Sequence, residues 1–267
     1  MITISDISQC CGCTACVTVC PVHAVVMRRD PEGFYYPVDN PDICIGCGRC
    51  DKVCPMPALG HSDILETVSA HHEDLSGKVE AFISEGGAVF GPVQESDGHI
   101  GYCEISDVAS ADRLLYDCVV QCDPYAVYED VSLCLNEGHK VMFIGTPCMM
   151  AGLESCLPDV KDVEEVSLSC TGVSSPGLWD KYCSAYRADA VKDDVYRVLH
   201  EQNMTVRPSC RGCRFNNGSS SYPEQEKRES LFRGYNSMAD ILQVMKSHVR
   251  HQSLSCRLRA LLSTIFS

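Results

Sequence analysis

The sequence predicts two folded units of different class: a small, cysteine-rich α+β unit, then a larger α/β domain with a mostly parallel sheet. Three observations carry this. Eight cysteines between residues 10 and 54 fall in two copies of one spacing, with two short strand-like runs and a tight turn between them. From residue 77 onward, helical and strand-like segments alternate, the pattern of βαβ construction. Residues 58–76 are polar and read as a linker. A length of 267 residues suits one or two such domains.

The first copy is Cys10-x2-Cys13-x2-Cys16-x3-Cys20-Pro21 and the second is Cys44-x2-Cys47-x2-Cys50-x3-Cys54-Pro55. Every cysteine, the proline and the inner glycine (Gly12, Gly46) repeat at an offset of 34 residues. This is the spacing of bacterial two-cluster ferredoxins, in which the fourth cysteine of each run ligates the other cluster. The expected sets are Cys10, Cys13, Cys16 and Cys54 on one 4Fe–4S cluster, and Cys44, Cys47, Cys50 and Cys20 on the other. Soft thiolates suit iron–sulfur chemistry. Zinc sites and disulfide scaffolds also use dense cysteine. Neither gives a reason for a third cysteine after x2, a fourth after x3 and a trailing proline. Residues 1–57 are therefore expected to form an α+β dicluster ferredoxin domain. Cys11 breaks the repeat, because Ile45 stands at its counterpart, and it reads as a spectator thiol.

Within that unit, Ala24–Arg28 and Phe34–Val38 are expected strands around the turn Asp30-Pro31-Glu32-Gly33. The linker contains His71 and His72, which read as exposed loop. In the larger domain, assigned to residues 77–235, Lys78–Glu85 is a helix stopped by Gly86-Gly87. Ala88–Val93 and His99–Ile105 follow as strands. Asp123-Pro124 opens a helix running to Gly138. Val141–Ile144 is a buried strand feeding Gly145-Thr146-Pro147-Cys148, where Thr146 can cap a helix whose first residue is Pro147. Val163–Ser169 is a strand ending at Cys170, and Ser175-Pro176 opens a helix to about Tyr186. Residues 236–267 include a basic amphipathic helix, Met238–Phe266, expected to pack on its own domain.

Charge and composition narrow the function. The net charge is −14, and residues 61–215 hold 26 acidic against 11 basic side chains. Such a body excludes a nucleic-acid partner, which needs a basic surface. No stretch reaches the roughly 18 apolar residues of a membrane helix, so no membrane insertion is expected. The N-terminus lacks a basic segment followed by an apolar run. Twenty cysteines without such a signal point to metal ligation in a reducing, cytoplasmic setting.

Eleven cysteines lie beyond the first unit. Cys148 and Cys170 each sit at the C-terminal end of an expected strand, where open α/β sheets place their sites. Cys210-x2-Cys213 is a chelating pair after Arg207-Pro208. Together the four would complete a tetrathiolate, and spacing alone leaves zinc, iron–sulfur and redox chemistry open. A thiol in the first turn of a helix is also a candidate nucleophile, but no His or Asp lies near Cys148 in sequence. Cys103, Cys118, Cys122, Cys134, Cys156, Cys183 and Cys256 read as core packing.

Four further blocks follow the ferredoxin unit in order: EGGAVFG at 85–91, VMFIGTPCMMAGL at 141–153, SCTGVSSP at 169–176 and VRPSCRGCRF at 206–215. With Lys227-Arg228 to Tyr235, they make the chain resemble the coenzyme F-420 (deazaflavin) hydrogenase/dehydrogenase beta-subunit family, over most of residues 1–245. The bacterial branch with an N-terminal dicluster ferredoxin domain is the more similar one. The resemblance implies a flavin, usually FAD. It also implies a third 4Fe–4S cluster held by Cys148, Cys170, Cys210 and Cys213. The chain departs from the family at Asp74-Leu75-Ser76-Gly77, where Ser-Ser-Gly-Gly is usual. It departs again in a compressed segment between Arg187 and Val206, and at residues 216–224, which replace a longer block.

These readings converge on an iron–sulfur, flavin-dependent oxidoreductase that passes electrons between a small-molecule two-electron donor or acceptor and a redox partner protein. The competing reading is a non-catalytic ferredoxin-type subunit that has lost its flavin site, and a third is a zinc-stabilised interaction domain. Gly86–Gly91 is not a G-x-G-x-x-G fingerprint, so direct nicotinamide binding is not expected.

Overall fold

The two cysteine runs fold alike because they repeat in backbone conformation as well as in sequence. The computed structural model of the chain describes residues 7–56, 72–116, 120–157, 162–186 and 206–213. Gly12 and Gly46 have φ of +79° and +68°, and Thr14 and Gly48, two residues further on, have φ of +67° and +68°. Left-handed residues interleaved with ordinary ones curl a chain into a concavity lined by amides, a shape used at many iron–sulfur sites. Each loop runs into a short helix, α1 (Ala15–Thr18) and α2 (Arg49–Val53). Between the runs, β1 (Val25–Arg29) pairs antiparallel with β2 (Tyr35–Asp39), one residue later at each end than the sequence predicts. The turn is built on Asp30, whose Oδ1 accepts the amides of Glu32 and Phe34 at 2.9 Å each.

The larger unit contains α3 (His72–Ser84), β3 (Ala88–Gln94), β4 (Ile100–Ile105), α4 (Val127–Asn136), β5 (Val141–Gly145), α5 (Pro147–Cys156), β6 (Val163–Ser167) and α6 (Pro176–Tyr186). The sheet order is β4-β3-β5-β6. β3–β5 and β5–β6 are parallel, whereas β3–β4 is antiparallel. The sheet is therefore mixed, and the expectation of parallel strands holds for three of the four. The reason is connection length. Residues 95–99 close a tight turn, with the Glu95 amide donating to the His99 carbonyl at 2.7 Å. A parallel crossover needs a dozen residues or more.

Two helix starts differ from expectation. α3 begins at His72 and takes in residues read as linker, because Leu75, Val79 and Ile83 form one buried stripe at helical spacing. α4 begins at Val127, because Asp123 Oδ1 accepts the Tyr125 amide at 3.0 Å and holds the segment before it as a turn.

Alternation along β5 divides the core. Met142 and Ile144 face Val79, Ile83 and Leu114 on the α3 side. Val141 and Phe143 join Tyr128, Val131, Met150 and Leu153 of α4 and α5 on the other. This second cluster continues into the ferredoxin unit through Cys13, Ala15, Cys16, Cys20, Val25, Cys50 and Val53, so one apolar core joins both units. Contact is close enough to require glycine in α5: a Cβ at Gly152 would meet Cys13 Cβ at 3.0 Å and Tyr128 Oη at 2.5 Å. The hairpin turn is anchored as well, with the Gly177 amide and Ser175 Oγ both donating to the Glu32 carbonyl, at 2.8 and 2.6 Å. Met238–Phe266, Lys227–Tyr235, residues 216–224, His71, Cys118, Cys256 and most of the expected linker lie outside the described residues.

Candidate metal centres

All described cysteines are free thiols. In the first unit Cys10, Cys13, Cys16, Cys20 and Cys50 are buried, Cys44 and Cys54 half-buried, and Cys47 exposed. Cys54, from the second run, lies beside Cys10 and Cys16 of the first. Burial, followed by the neighbouring Cys10 and Cys54, pushes the Cys16 thiol up to about 12. Burial and then Cys10 raise Cys54 in turn. Cys13 adjoins Cys16. Cys20 behaves differently. Burial pushes it upward, but amides of residues 22–25 outweigh that and hold it below the ordinary thiol value. Among them the Ala24 amide donates to Cys20 Sγ at 3.1 Å.

The second set converges from three elements. Cys148 occupies the first turn of α5, straight after β5. Cys170 follows β6, held by the Leu168 amide donating to the Gly145 carbonyl at 2.7 Å. Cys210 sits in a 3-10 turn, Pro208–Gly212, and Cys213 follows it. Burial raises Cys170 well above the ordinary value, with Cys148, Cys210 and Cys213 adding to the effect. Burial and then Cys148 push Cys210 up to about 12. Cys148, Cys210 and Cys213 thus all lie near Cys170. The Gly172 amide donates to Cys170 Sγ at 3.4 Å. Thr146 does not cap α5 through its side chain; its Oγ1 hydrogen-bonds Cys148 Sγ at 3.3 Å instead.

Two residues gain roles that spacing did not reveal. Cys11, read as a spectator, lies between the two sets: its thiol is raised well above the ordinary value, and Cys13 and Cys148 are both near enough to act on it. The nucleophile reading of Cys148 gains no support, because Cys11 and then burial raise its thiol well above the ordinary value. Arg207 was visible only as part of a motif. Its side chain is fully buried, and it donates through Nε to the Cys10 carbonyl at 2.9 Å. Its two terminal nitrogens donate to Gln121 Oε1 at 2.6 Å and to the Tyr35 carbonyl at 2.8 Å. The guanidinium also lies 4.3 Å from the Tyr36 ring centroid.

The donor sets fit iron–sulfur clusters. Buried thiols that raise one another's pKa make an unfavourable nest on their own, and bound metal reverses this by deprotonating a coordinating thiol outright. Among the described residues no three His, Cys, Asp or Glu side chains close on a point suited to a single metal ion.

Gly86 terminates α3 with φ +87°, and a Cβ on Gly91 would meet Leu114 Cδ2 at 2.7 Å, so these glycines serve turn and packing. The adjoining groove is lined by Glu104, Asp130 and Glu137, the wrong sign for a pyrophosphate.

The two loops differ in setting. A Cβ at Gly12 would strike Gln121 Nε2 at 2.3 Å, whereas one at Gly46 meets nothing within 4 Å. Around the second loop Ile43 and Ile45 are 47% and 64% exposed. No helix among the described residues is long and apolar enough to cross a membrane.

Two family models, both described as a 4Fe-4S dicluster domain, match residues 9–58 and 36–105. They overlap on the second cysteine run, and residues 59–105 contribute only Cys103, so one paired domain accounts for both. No curated protein matches the chain. Its N-terminal part is similar to dicluster 4Fe–4S domains, which supports an iron–sulfur electron-transfer role.

Proposed function

We propose that this chain is an electron relay of three 4Fe–4S centres in a fixed order. The innermost is held by Cys148, Cys170, Cys210 and Cys213, the middle one by Cys10, Cys13, Cys16 and Cys54, and the outer one by Cys20, Cys44, Cys47 and Cys50. When bound, such clusters supply one-electron transfer at potentials set by burial and hydrogen bonds to sulfur. The observation that carries the reading is Arg207, which donates to the Cys10 carbonyl at 2.9 Å while its own carbonyl accepts the Cys210 amide at 3.0 Å, so the two inner sets adjoin across the boundary between units. The chain's residues do the rest. Tyr128, Met150 and Leu153, buried in one core with Cys13 and Cys16, keep water from that side of the middle centre. The amides of Ala24 and Gly172 stabilise sulfur charge. The exposed loop at Ile43, Ile45 and Cys47 gives a redox partner protein access to the outer centre.

A second reading makes the same relay the cluster-bearing part of a flavin-dependent oxidoreductase, with a small-molecule two-electron donor or acceptor at the inner end. It is favoured by the order of the GTPC, SCTG and RPSCRGC blocks, which resembles that of deazaflavin hydrogenase/dehydrogenase beta subunits. Stepwise reduction of anaerobically purified protein, followed by electron paramagnetic resonance, tests the relay. Three 4Fe–4S signals, with magnetic interaction between the two inner ones, are expected. Two signals refute it. Extractable flavin near one per chain selects the oxidoreductase, and none after reconstitution selects the carrier.

A further inference from the structure

We propose that Arg207 is a positioning residue that fixes the spacing of the two inner centres and raises the reduction potential of both. The inference rests on the three-centre reading above. Arg207 is fully buried, and among the described residues no carboxylate lies within ion-pair distance of it. Buried charges are ordinarily paired or bound to metal. Its fixed contacts carry no formal charge: the Cys10 and Tyr35 carbonyls, Gln121 Oε1 and the faces of the Tyr36 and Phe34 rings; its charge bears on Cys148 and Cys210.

One side chain therefore grips the backbone of a middle-centre cysteine, while its own backbone leads three residues later to Cys210. The Arg207 carbonyl accepts the Cys210 amide at 3.0 Å, which fixes that lead. Thiolate-bound clusters on either side supply the missing countercharge. Each reduction adds one electron, with no bond made or broken, next to a fixed cation that stabilises the reduced state.

The decisive variant is Gln121→Glu, which sets a carboxylate 2.6 Å from the guanidinium and neutralises it while keeping the acceptor. Arg207→Met removes the charge and the hydrogen bonds, and Arg207→Lys keeps only the charge. Midpoints are read by redox titration followed by electron paramagnetic resonance, with iron counted per chain. Gln121→Glu at full iron should lower both inner midpoints by at least tenfold in the reduction equilibrium, about 59 mV for one electron. The outer midpoint should stay put, and Arg207→Lys should stay nearer wild type than Arg207→Met. Unchanged inner midpoints in Gln121→Glu overturn the inference, even if Arg207→Met loses iron, since that loss alone marks a scaffold. Wild-type protein with about eight iron overturns the three-centre reading first, and the inference falls with it through the missing inner centre.

Discussion

The asymmetry of the two loops can be tested with a matched pair of substitutions, Gly12→Ala and Gly46→Ala. Both glycines have positive φ, +79° and +68°, so the backbone cost of a Cβ is similar, about 1–2 kcal/mol. The surroundings differ. At Gly46 the new methyl group meets nothing within 4 Å; at Gly12 it meets Gln121 Nε2 at 2.3 Å and an Arg207 nitrogen at 3.2 Å. Gln121 cannot swing aside freely, because its Oε1 is held by Arg207 at 2.6 Å. Overpacking of this kind adds about 1–3 kcal/mol. At about 2–4 °C per kcal/mol for a domain of this size, Gly12→Ala should melt roughly 2–12 °C below Gly46→Ala. The assay is far-ultraviolet circular dichroism on anaerobically loaded proteins of equal iron content. Equal melting, or the larger loss at Gly46, would refute the placement of the first loop against Gln121 and Arg207.

Cys210→Ser should remove about four iron per chain, one cubane's worth, and leave the paired signals of the ferredoxin unit intact; unchanged iron contradicts the inner centre. Cys54→Ser should alter the same resonance as Cys10→Ser, and not the one altered by Cys44→Ser, because Cys54 lies beside Cys10 and Cys16. Glu165 gives a pH signature. Burial and then Glu154 push its carboxyl from the ordinary 4.5 up to about 7. The folded state then binds the extra proton, so stability present below about 4.5 is lost as pH rises through about 7. Glu165→Gln should be more stable than wild type above that range and should flatten the profile in pH-dependent melting. A variant profile that tracks wild type counts against a raised carboxyl at this half-buried position.

What the sequence revealed, and what it hid, follows from the range of the interactions involved. The ferredoxin loops were legible because their ligands, glycines and left-handed positions are local and repeat. Cys148 was legible as a strand-end residue because β5 is a short apolar run; Cys170 was legible less sharply, since β6 (VEEVS) carries two glutamates and ends at Ser167, not at the expected Ser169. The α3 start was hidden because Leu75 is a lone apolar residue in a polar stretch, and only the packed stripe with Val79 and Ile83 shows its register. The antiparallel β3–β4 pair was readable from the short 95–99 connection, but alternation of elements argued for a parallel sheet more loudly. Arg207 and Cys11 were out of reach. Arg207 meets Cys10 across 197 residues of chain, and no spacing rule spans that separation. Asp123 is similar, being bonded to Tyr35 and 3.6 Å from Arg29, so it ties the hairpin to the α/β unit without any motif.

Iron, zinc and acid-labile sulfide counted on air-free, freshly purified protein bear most directly on the relay. About twelve iron and twelve sulfide per chain, with negligible zinc, is the predicted result for three cubane centres. A colourless protein carrying stoichiometric zinc, or no metal at all, would contradict it.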